Sequence, residues 1–305
     1  MNRDFPRILV LGASGRIGAM LRRGWPAGQG LWQVRPGSES GLESGSGQGG
    51  AAWLRFDPLG DPAALSVAAG RADVILCLAG VTPAAAARGA EMGDNIALGL
   101  AAVRAGAKGG ARGHDGAGVP VLLASSSAVY GTRGGLLSEV PPPAPVSAYG
   151  RAKAEMEARA ADLGAELGVP VTALRIGNVA GADAILGGWR AGFTLDRFAD
   201  GRTPRRSYIG PAVLARVLGD LALRAARRRD LPACLNVAAP GAVEMGALLD
   251  AAGLAWAPRP APEAAIPEVI LDVTALAGLV PLDHEAGTAQ MLVAEWRGLA
   301  QNRQP

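Results

Sequence analysis

The sequence predicts an α/β fold: a doubly wound parallel sheet with a smaller C-terminal lobe. Short, almost continuous apolar runs recur at residues 7–11, 73–79, 119–125 and 171–176, as parallel strands covered on both faces require. Helical patterns separate them, and strand alternating with helix through short turns is the signature of a sheet wound on both sides. The first run passes directly into a turn with glycines at positions 12, 15 and 18. A tight bend and a helix therefore follow the first strand.

Taken in order, residues 7–11 form strand one, and a helix runs from Arg16 to about Arg23, stopped near Gly24. Residues 31–35 form strand two. The stretch 37–50 is rich in Gly and Ser and reads as a mobile loop. Residues 53–56 form strand three, after which Asp61-Pro62 supplies the N-cap and first-turn proline of a helix ending at Ala69. The fourth strand, 73–79, precedes an Ala-rich helix over about 91–107, a glycine-dense surface loop at 108–118 and the fifth strand at 119–125. Ser147 caps the next helix, whose inward stripe is Tyr149, Ala152/Lys153, Met156, Ala160, Leu163 and Leu167. Gly168 and Pro170 end it, and residues 171–176 form the sixth strand. Beyond residue 180 the alternation fades and prolines crowd 258–267, with one return to the core near Leu235-Asn236-Val237.

A chain of 305 residues, 49% hydrophobic and 19% charged, has ample apolar surface for a substantial core. Net charge is +3, and the basic residues are scattered apart from Arg227-Arg228-Arg229. No basic face interleaved with aromatics appears, so nucleic acid is not an expected partner. Cys77 and Cys234 stand inside apolar runs and read as small buried thiols, with a disulfide neither demanded nor excluded. His114 and His284 are isolated, no Cys/His cluster has ligand spacing, and no metal is expected. A strand that begins by residue 7 leaves no room for a signal peptide. No apolar run approaches the roughly 18 residues that span a bilayer. The expectation is a soluble, cytoplasmic protein without a membrane partner.

Glycines at 12, 15 and 18 permit a tight turn, close backbone approach to a pyrophosphate, and close packing of helix on strand. The phosphates then lie at a helix N-terminus, where unpaired N–H groups favour an anion. Ser14, Arg16 and Ile17 complete the turn. The bland alternative is a bend that merely needs glycine. At the end of strand two, an acid would bond the ribose 2′-OH of NAD, whereas Arg accommodates the 2′-phosphate of NADP. Here Val34-Arg35-Pro36 offers Arg35, no acid follows before Glu39, and Arg16 is a second candidate. NADP is expected ahead of NAD, unless Arg35 is an ordinary solvated side chain.

Tyr149 and Lys153 are four apart on a helix and share a face. A free phenol, with a pKa of about 10, is a poor base at neutral pH. A neighbouring ammonium and a cationic nicotinamide ring stabilise the phenolate. Lowering the pKa by about three units takes roughly 4 kcal/mol, within reach of two close charges in a partly dry site.

These motifs, together with Ser125-Ser126-Ser127-Ala128-Val129-Tyr130-Gly131, Leu174-Arg175-Ile176-Gly177-Asn178-Val179-Ala180-Gly181 and Arg206-Ser207-Tyr208-Ile209, resemble the extended short-chain dehydrogenase/reductase family, its NAD(P)-dependent epimerase/dehydratase group. The match runs over nearly the whole length and implies a Rossmann fold. It implies that Tyr149 is the acid/base, that Lys153 lowers its pKa and holds the cofactor ribose, and that Ser126 orients the substrate, with Ser125 and Ser127 as alternatives. It places Asp57 against adenine, Leu78, Ala79 and Gly80 against the cofactor, and Ser127, Asn178 and Arg206 on the substrate side. Asn95 is a candidate for the family's nicotinamide-side asparagine, one residue out of the usual spacing.

The division implied is a dinucleotide-binding domain over 1–178, with a returning segment near 207–238, and a substrate lobe over 179–206 and 239–305. The chain departs from the family at Val179-Ala180-Gly181-Ala182, where Tyr and Pro are missing, at Pro211-Ala212-Val213, and in the short stretch from Gly181 to Arg206. Relatives that dehydrate place Asp-Glu after the catalytic serine. Ser127 and Ala128 stand there instead, and neither moves protons at neutral pH. The resemblance therefore implies hydride transfer at a secondary alcohol or ketone of a small molecule, a nucleotide sugar by family habit, in an epimerase or a carbonyl reductase. A non-catalytic NADP(H)-binding redox sensor is the rival reading. Relatives commonly pair through two helices, so a homodimer is implied.

Overall fold

Seven strands form one parallel sheet in the computed structural model, which describes residues 5–37, 52–109, 117–228 and 230–301. Most of the loop expected at 37–50, the middle of that expected at 108–118, Glu39, His114 and Arg229 lie outside the described residues. In chain order the strands are β1 (Ile8–Leu11), β2 (Gly30–Val34), β3 (Ala52–Arg55), β4 (Val74–Cys77), β5 (Val121–Ser126), β6 (Val171–Ile176) and β7 (Cys234–Val237). Across the sheet they run β7-β6-β5-β4-β1-β2-β3. The order reverses between β1 and β4, and a crevice opens there at the strands' carboxyl ends.

Alternation along β1 shows why both faces must be covered. Ile8 and Val10 join the core on one side, with Leu21, Leu214 and Leu218; Leu9 and Leu11 join the other, with Leu65, Val103 and Met156. Successive side chains point to opposite faces, so an unbroken apolar run must be sandwiched. The first layer is supplied by α1 (Arg16–Gly24) and a helix over Pro211–Ala226. The second is supplied by α2 (Pro62–Ala69), α3 (Asp94–Gly109) and α4 (Ala148–Leu167).

Local chemistry sets the helix ends. The Asp61 carboxylate accepts from the Ala64 N–H at 2.9 Å, and the Ser147 hydroxyl accepts from the Gly150 N–H at 3.0 Å. Gly168 closes α4 in the left-handed region, φ +66°. The stripe expected on α4 is right as far as Ala160 and then steps to Gly164; Leu163 is only half-buried and Leu167 is exposed. A side chain at 164 would meet Val171 Cγ2 at 2.6 Å. Glycine is what lets the last turn approach β6.

Residues beyond 178 contain strands that the faded alternation concealed. Val243–Glu244, Arg205–Arg206, Glu268–Leu271 and Gly135–Leu137 form a four-stranded sheet in that order. Asn178–Val179 pairs with Tyr208–Ile209, and Thr194–Arg197 with Ala257–Pro260. Most are too short for periodicity to register, and the last is half proline. Both cysteines are free, Cys77 buried and Cys234 half-buried. Among the described residues no helix is long and apolar enough to cross a membrane, and no group of three His, Cys, Asp or Glu could hold a metal ion.

Candidate active site

The glycine turn joins β1 to α1, and each glycine has a physical reason. Gly12 has φ +80°, and a Cβ there would lie 2.7 Å from Ala79 Cα and 2.8 Å from Ala79 N. The turn therefore touches the end of β4, the other wall of the crevice. Gly15 occupies the N-cap of α1 and offers no side-chain cap to the helix N–H groups. A Cβ on Gly18 would sit 2.4 Å from the Ala13 carbonyl oxygen, so only glycine lets α1 lie this close to the turn. The result is a side-chain-free cradle at a helix N-terminus, which fits a pyrophosphate.

Gln33 was not singled out from the sequence, although a polar residue inside Leu31-Trp32-Gln33-Val34 was the available signal. It is buried, accepts from the Gly12 N–H at 2.9 Å and donates to the Phe56 carbonyl at 2.6 Å. One amide thus locks the turn to β2 and β3.

A cleft of about 400 Å³ lies over this cradle. Of the residues expected to hold the cofactor, Gly12, Ser14, Gly15, Arg16, Ile17 and Gly18, then Arg35, Asp57, Leu78, Ala79 and Gly80 line it. Arg16 and Arg35 bring positive charge to it, while its acids are Asp57 and Asp94.

Asn95 does not line the cleft but shapes it. It is fully buried; its Oδ1 accepts from the Val81 N–H at 3.1 Å, and its Nδ2 donates to the carbonyls of Val81 and Met92 at 3.0 and 3.1 Å. A Cβ on Gly80 would meet Asn95 Oδ1 at 2.6 Å and Lys153 Nζ at 3.2 Å. The lysine ammonium therefore lies against Gly80, one of the residues lining the cleft.

Lys153 is 5% exposed, and its Nζ donates to the Ala124 carbonyl at 2.8 Å. Nζ lies 6.0 Å from the centroid of the Tyr149 ring. Burial pushes the amine down to about 8, against the nearby Cys77 and Glu157, which favour the ammonium. Burial also pushes the Cys77 thiol up to about 11, with Lys153 pulling it back.

The Ser126 side chain is near enough to the Tyr149 phenol to favour its ionised form. Its pKa differs from the sequence expectation: burial raises it, and the Ser126 side chain is the opposing influence. Burial in the dry pocket thus favours the neutral phenol.

The three serines part company. Ser125 donates to a Glu157 carboxylate oxygen, whereas Ser126 reaches Tyr149 and also accepts from the Ala128 N–H at 3.2 Å. Ser127 opens a short 3-10 helix over Ser127–Tyr130. Asn178 begins the short strand after β6 and pairs with Tyr208. Arg206 sits in the four-stranded sheet, where its guanidinium donates to the carbonyls of Arg205, Pro267 and Ile266 at 2.8, 3.1 and 2.9 Å. It is not among the residues lining the cleft over the glycine turn.

Asp183 is a second residue that no motif announced. Its carboxylate accepts backbone N–H bonds from Gly181, Ile185, Leu186 and Gly187, and the Tyr208 hydroxyl donates to it at 3.0 Å. This one side chain folds the short stretch after Asn178 back on itself.

Residues 8–191 match the family described as the NAD dependent epimerase/dehydratase family. Three solved structures illustrate the likeness. The UDP-glucose 4-epimerase of Thermus thermophilus, in complex with NAD, is 22% identical with a TM-score of 0.67 over 96% of this chain and 99% of that one. The UDP-Glc/GlcNAc 4-epimerase of Campylobacter jejuni is 17% identical, TM-score 0.74, over 96% and 99%. The UDP-N-acetylglucosamine 4-epimerase of Methanobrevibacter ruminantium, in complex with UDP-N-acetylmuramic acid, is 19% identical, TM-score 0.74, over 98% and 99%. At these identities the likeness establishes the fold. Among curated proteins none matches the chain significantly.

Proposed function

The chain belongs to the NAD-dependent epimerase/dehydratase family, enzymes of the short-chain dehydrogenase type that use a nicotinamide cofactor, and from that premise we propose a specific activity. It is an oxidoreductase or epimerase that acts by hydride transfer at a secondary alcohol or ketone of a nucleotide sugar. One observation carries this reading: Ser126, Tyr149 and Lys153 come together, with the lysine against the wall of the cofactor cleft. The neighbours crystallised with NAD and with UDP-linked ligands support the same substrate class.

The glycine cradle and Lys153 hold the cofactor, and Asp57 bounds its adenosine end. Arg35 and Arg16, with no acid at the end of β2, favour NADP; the NAD of the neighbours is the competing choice. When bound, the nicotinamide ring supplies the hydride acceptor and donor, and in its oxidised form a positive charge.

Ser126 holds the reacting oxygen, and Tyr149 takes the hydroxyl proton on oxidation and returns it on reduction. Lys153, as ammonium, stabilises the phenolate, which burial alone disfavours. Ser127 and Asn178 flank the substrate. Arg206 commits three of its five N–H donors to the lobe's own carbonyls and keeps two for the substrate's anionic part. An epimerase regenerates the alcohol with inverted configuration, whereas a reductase releases it and exchanges its cofactor.

The test is incubation of the purified protein with UDP-glucose, UDP-N-acetylglucosamine and UDP-glucuronic acid. Product stereochemistry is read by NMR and cofactor redox state by absorbance. Epimer formation without net cofactor consumption, or ketone reduction with stoichiometric consumption, supports the reading. Neither product from any of these sugars, in protein that binds NAD(P), overturns it.

A further inference from the structure

A buried polar chain that the proposed chemistry does not use runs beneath the site. Glu157 lies one helical turn beyond Lys153 on α4, on the same face. It accepts from the hydroxyl of Ser125, the residue adjoining Ser126. The Arg175 guanidinium grips it with Nε at 3.2 and 3.1 Å from the two carboxylate oxygens and Nη2 at 2.8 Å from Oε2. Arg175 is the registered partner of Ser125 across β5 and β6. The Arg175 and Glu157 side chains are 4% and 9% exposed.

From Arg175 the chain continues. Its Nη1 donates to the Tyr130 hydroxyl at 3.1 Å, with the guanidinium 5.1 Å from that ring's centroid. The Tyr130 hydroxyl donates to Asn236 Oδ1 at 2.7 Å, and Asn236 Nδ2 donates to the carbonyls of Leu137 and Asp272 at 2.9 and 3.0 Å. Leu137 ends one strand of the four-stranded sheet, and Asp272 directly follows another.

We propose that Glu157 is a positioning residue of the reaction: it holds the Ser126 strand against the Tyr149 helix and, through Arg175, ties both to the substrate lobe. The proposal rests on the hydride-transfer reading above. A buried ion pair is a poor way to gain stability, since apolar residues of equal volume commonly serve as well. An apolar pair would leave the Ser125 hydroxyl without its acceptor and Ser126 without a fixed neighbour. It would also remove a negative charge from beside Lys153. Charged and titratable groups face Lys153 from β4 (Cys77) and from its own helix (Tyr149, Glu157), while β5 presents the Ala124 carbonyl.

The experiment uses Glu157→Gln and Ser125→Ala in the full chain. The sequence contains only two lysines, Lys108 and Lys153, and three tyrosines, so isotope-labelled lysine followed by NMR, and phenol absorbance, resolve the groups of interest without any substrate. In Glu157→Gln the Lys153 midpoint falls by about one pH unit, a tenfold change in its ionisation constant. In Ser125→Ala that midpoint stays, the Tyr149 phenol titrates higher because Ser126, which favours the phenolate, loses its fixed place, and kcat on a nucleotide sugar falls roughly tenfold. For Ser125→Ala, KM and cofactor Kd stay within about twofold, on the principle that an interaction made only in the transition state lowers kcat alone.

Folded Glu157→Gln with an unmoved Lys153 overturns the proposal, as does Ser125→Ala with an unmoved phenol titration. Parallel losses in kcat, KM and cofactor affinity in Ser125→Ala also overturn it, since they mark general damage. If Glu157→Gln does not fold, Ser125→Ala decides alone. If the wild-type protein turns over no nucleotide sugar, the activity reading fails while the two titrations still decide the positioning role.

Discussion

Replacing Gly12 with alanine tests the geometry on which the cofactor cradle depends. At φ +80° an L-residue is destabilised by about 1–2 kcal/mol in the left-handed backbone region. The added Cβ would also stand 2.7 Å from Ala79 Cα and 2.8 Å from Ala79 N. Those are backbone atoms at the end of a central strand, unable to rotate aside. Relieving such overpacking costs about 1–3 kcal/mol. The sum, roughly 2–5 kcal/mol, is a large part of the ~5–15 kcal/mol that holds a typical fold together. Thermal melting should fall by roughly 5–15 °C.

Separating β1 from β4 also moves the turn, so affinity for NAD and NADP should drop together. Gly201→Ala is the control, because Gly201 has φ +84° with nothing within 4 Å of the built Cβ. It carries the backbone cost alone, about 1–2 kcal/mol, and leaves cofactor affinity unchanged. Calorimetric titration and melting curves read both variants. Equal losses in the two, or full cofactor affinity in Gly12→Ala, would refute the close-approach argument.

Asn95→Ala removes three hydrogen bonds from a fully buried position and should cost about 2–4 kcal/mol, with weakened cofactor binding as the Gly80–Val81 wall loosens; unchanged melting and affinity would contradict its clamping role. Arg35→Asp should reverse the cofactor preference, lowering NADP affinity roughly tenfold or more relative to NAD by placing like charge against a 2′-phosphate; competitive binding curves decide it. The pH dependence follows from Lys153, which releases its proton at about 8 when folded and at about 10.5 otherwise. Between those values the unfolded chain binds the extra proton, so this residue's contribution to stability rises with pH across that window. Activity moves the other way, because the ammonium is needed: kcat/KM should decline above a pH of about 8. A profile flat through that region would contradict the role given to the charge.

The parts of this molecule that were legible in the sequence are those governed by local rules. β1 through β6 and their helices announce themselves through apolar runs long enough to count and through Asp61-Pro62, Ser147 and Gly168, whose capping chemistry is confined to one turn. The cradle was legible because Gly12, Gly15 and Gly18 each answer a steric demand of their own. The C-terminal strands escaped notice because two-residue pairings such as Arg205–Arg206 with Val243–Glu244 have no period to detect. Gln33, Asn95 and Asp183 act on backbone atoms up to 23 residues away, which no spacing rule encodes.

The raised phenol of Tyr149 was missed for a related reason. Neighbouring charge can be guessed from Y-x-x-x-K, but the depth of the pocket and the direction of the lysine's hydrogen bond are tertiary facts. Burial sets the direction of the Tyr149 shift, and Nζ is turned to the Ala124 carbonyl.

The most direct test of the central claim is Tyr149→Phe, assayed for turnover of a nucleotide sugar and for cofactor affinity in one preparation. Deleting only the hydroxyl should reduce kcat by roughly 100-fold to 10,000-fold, the scale of a lost acid/base group, while cofactor Kd changes little. Turnover at the wild-type rate would show that the phenol at Ser126 is not the proton carrier and would contradict the account.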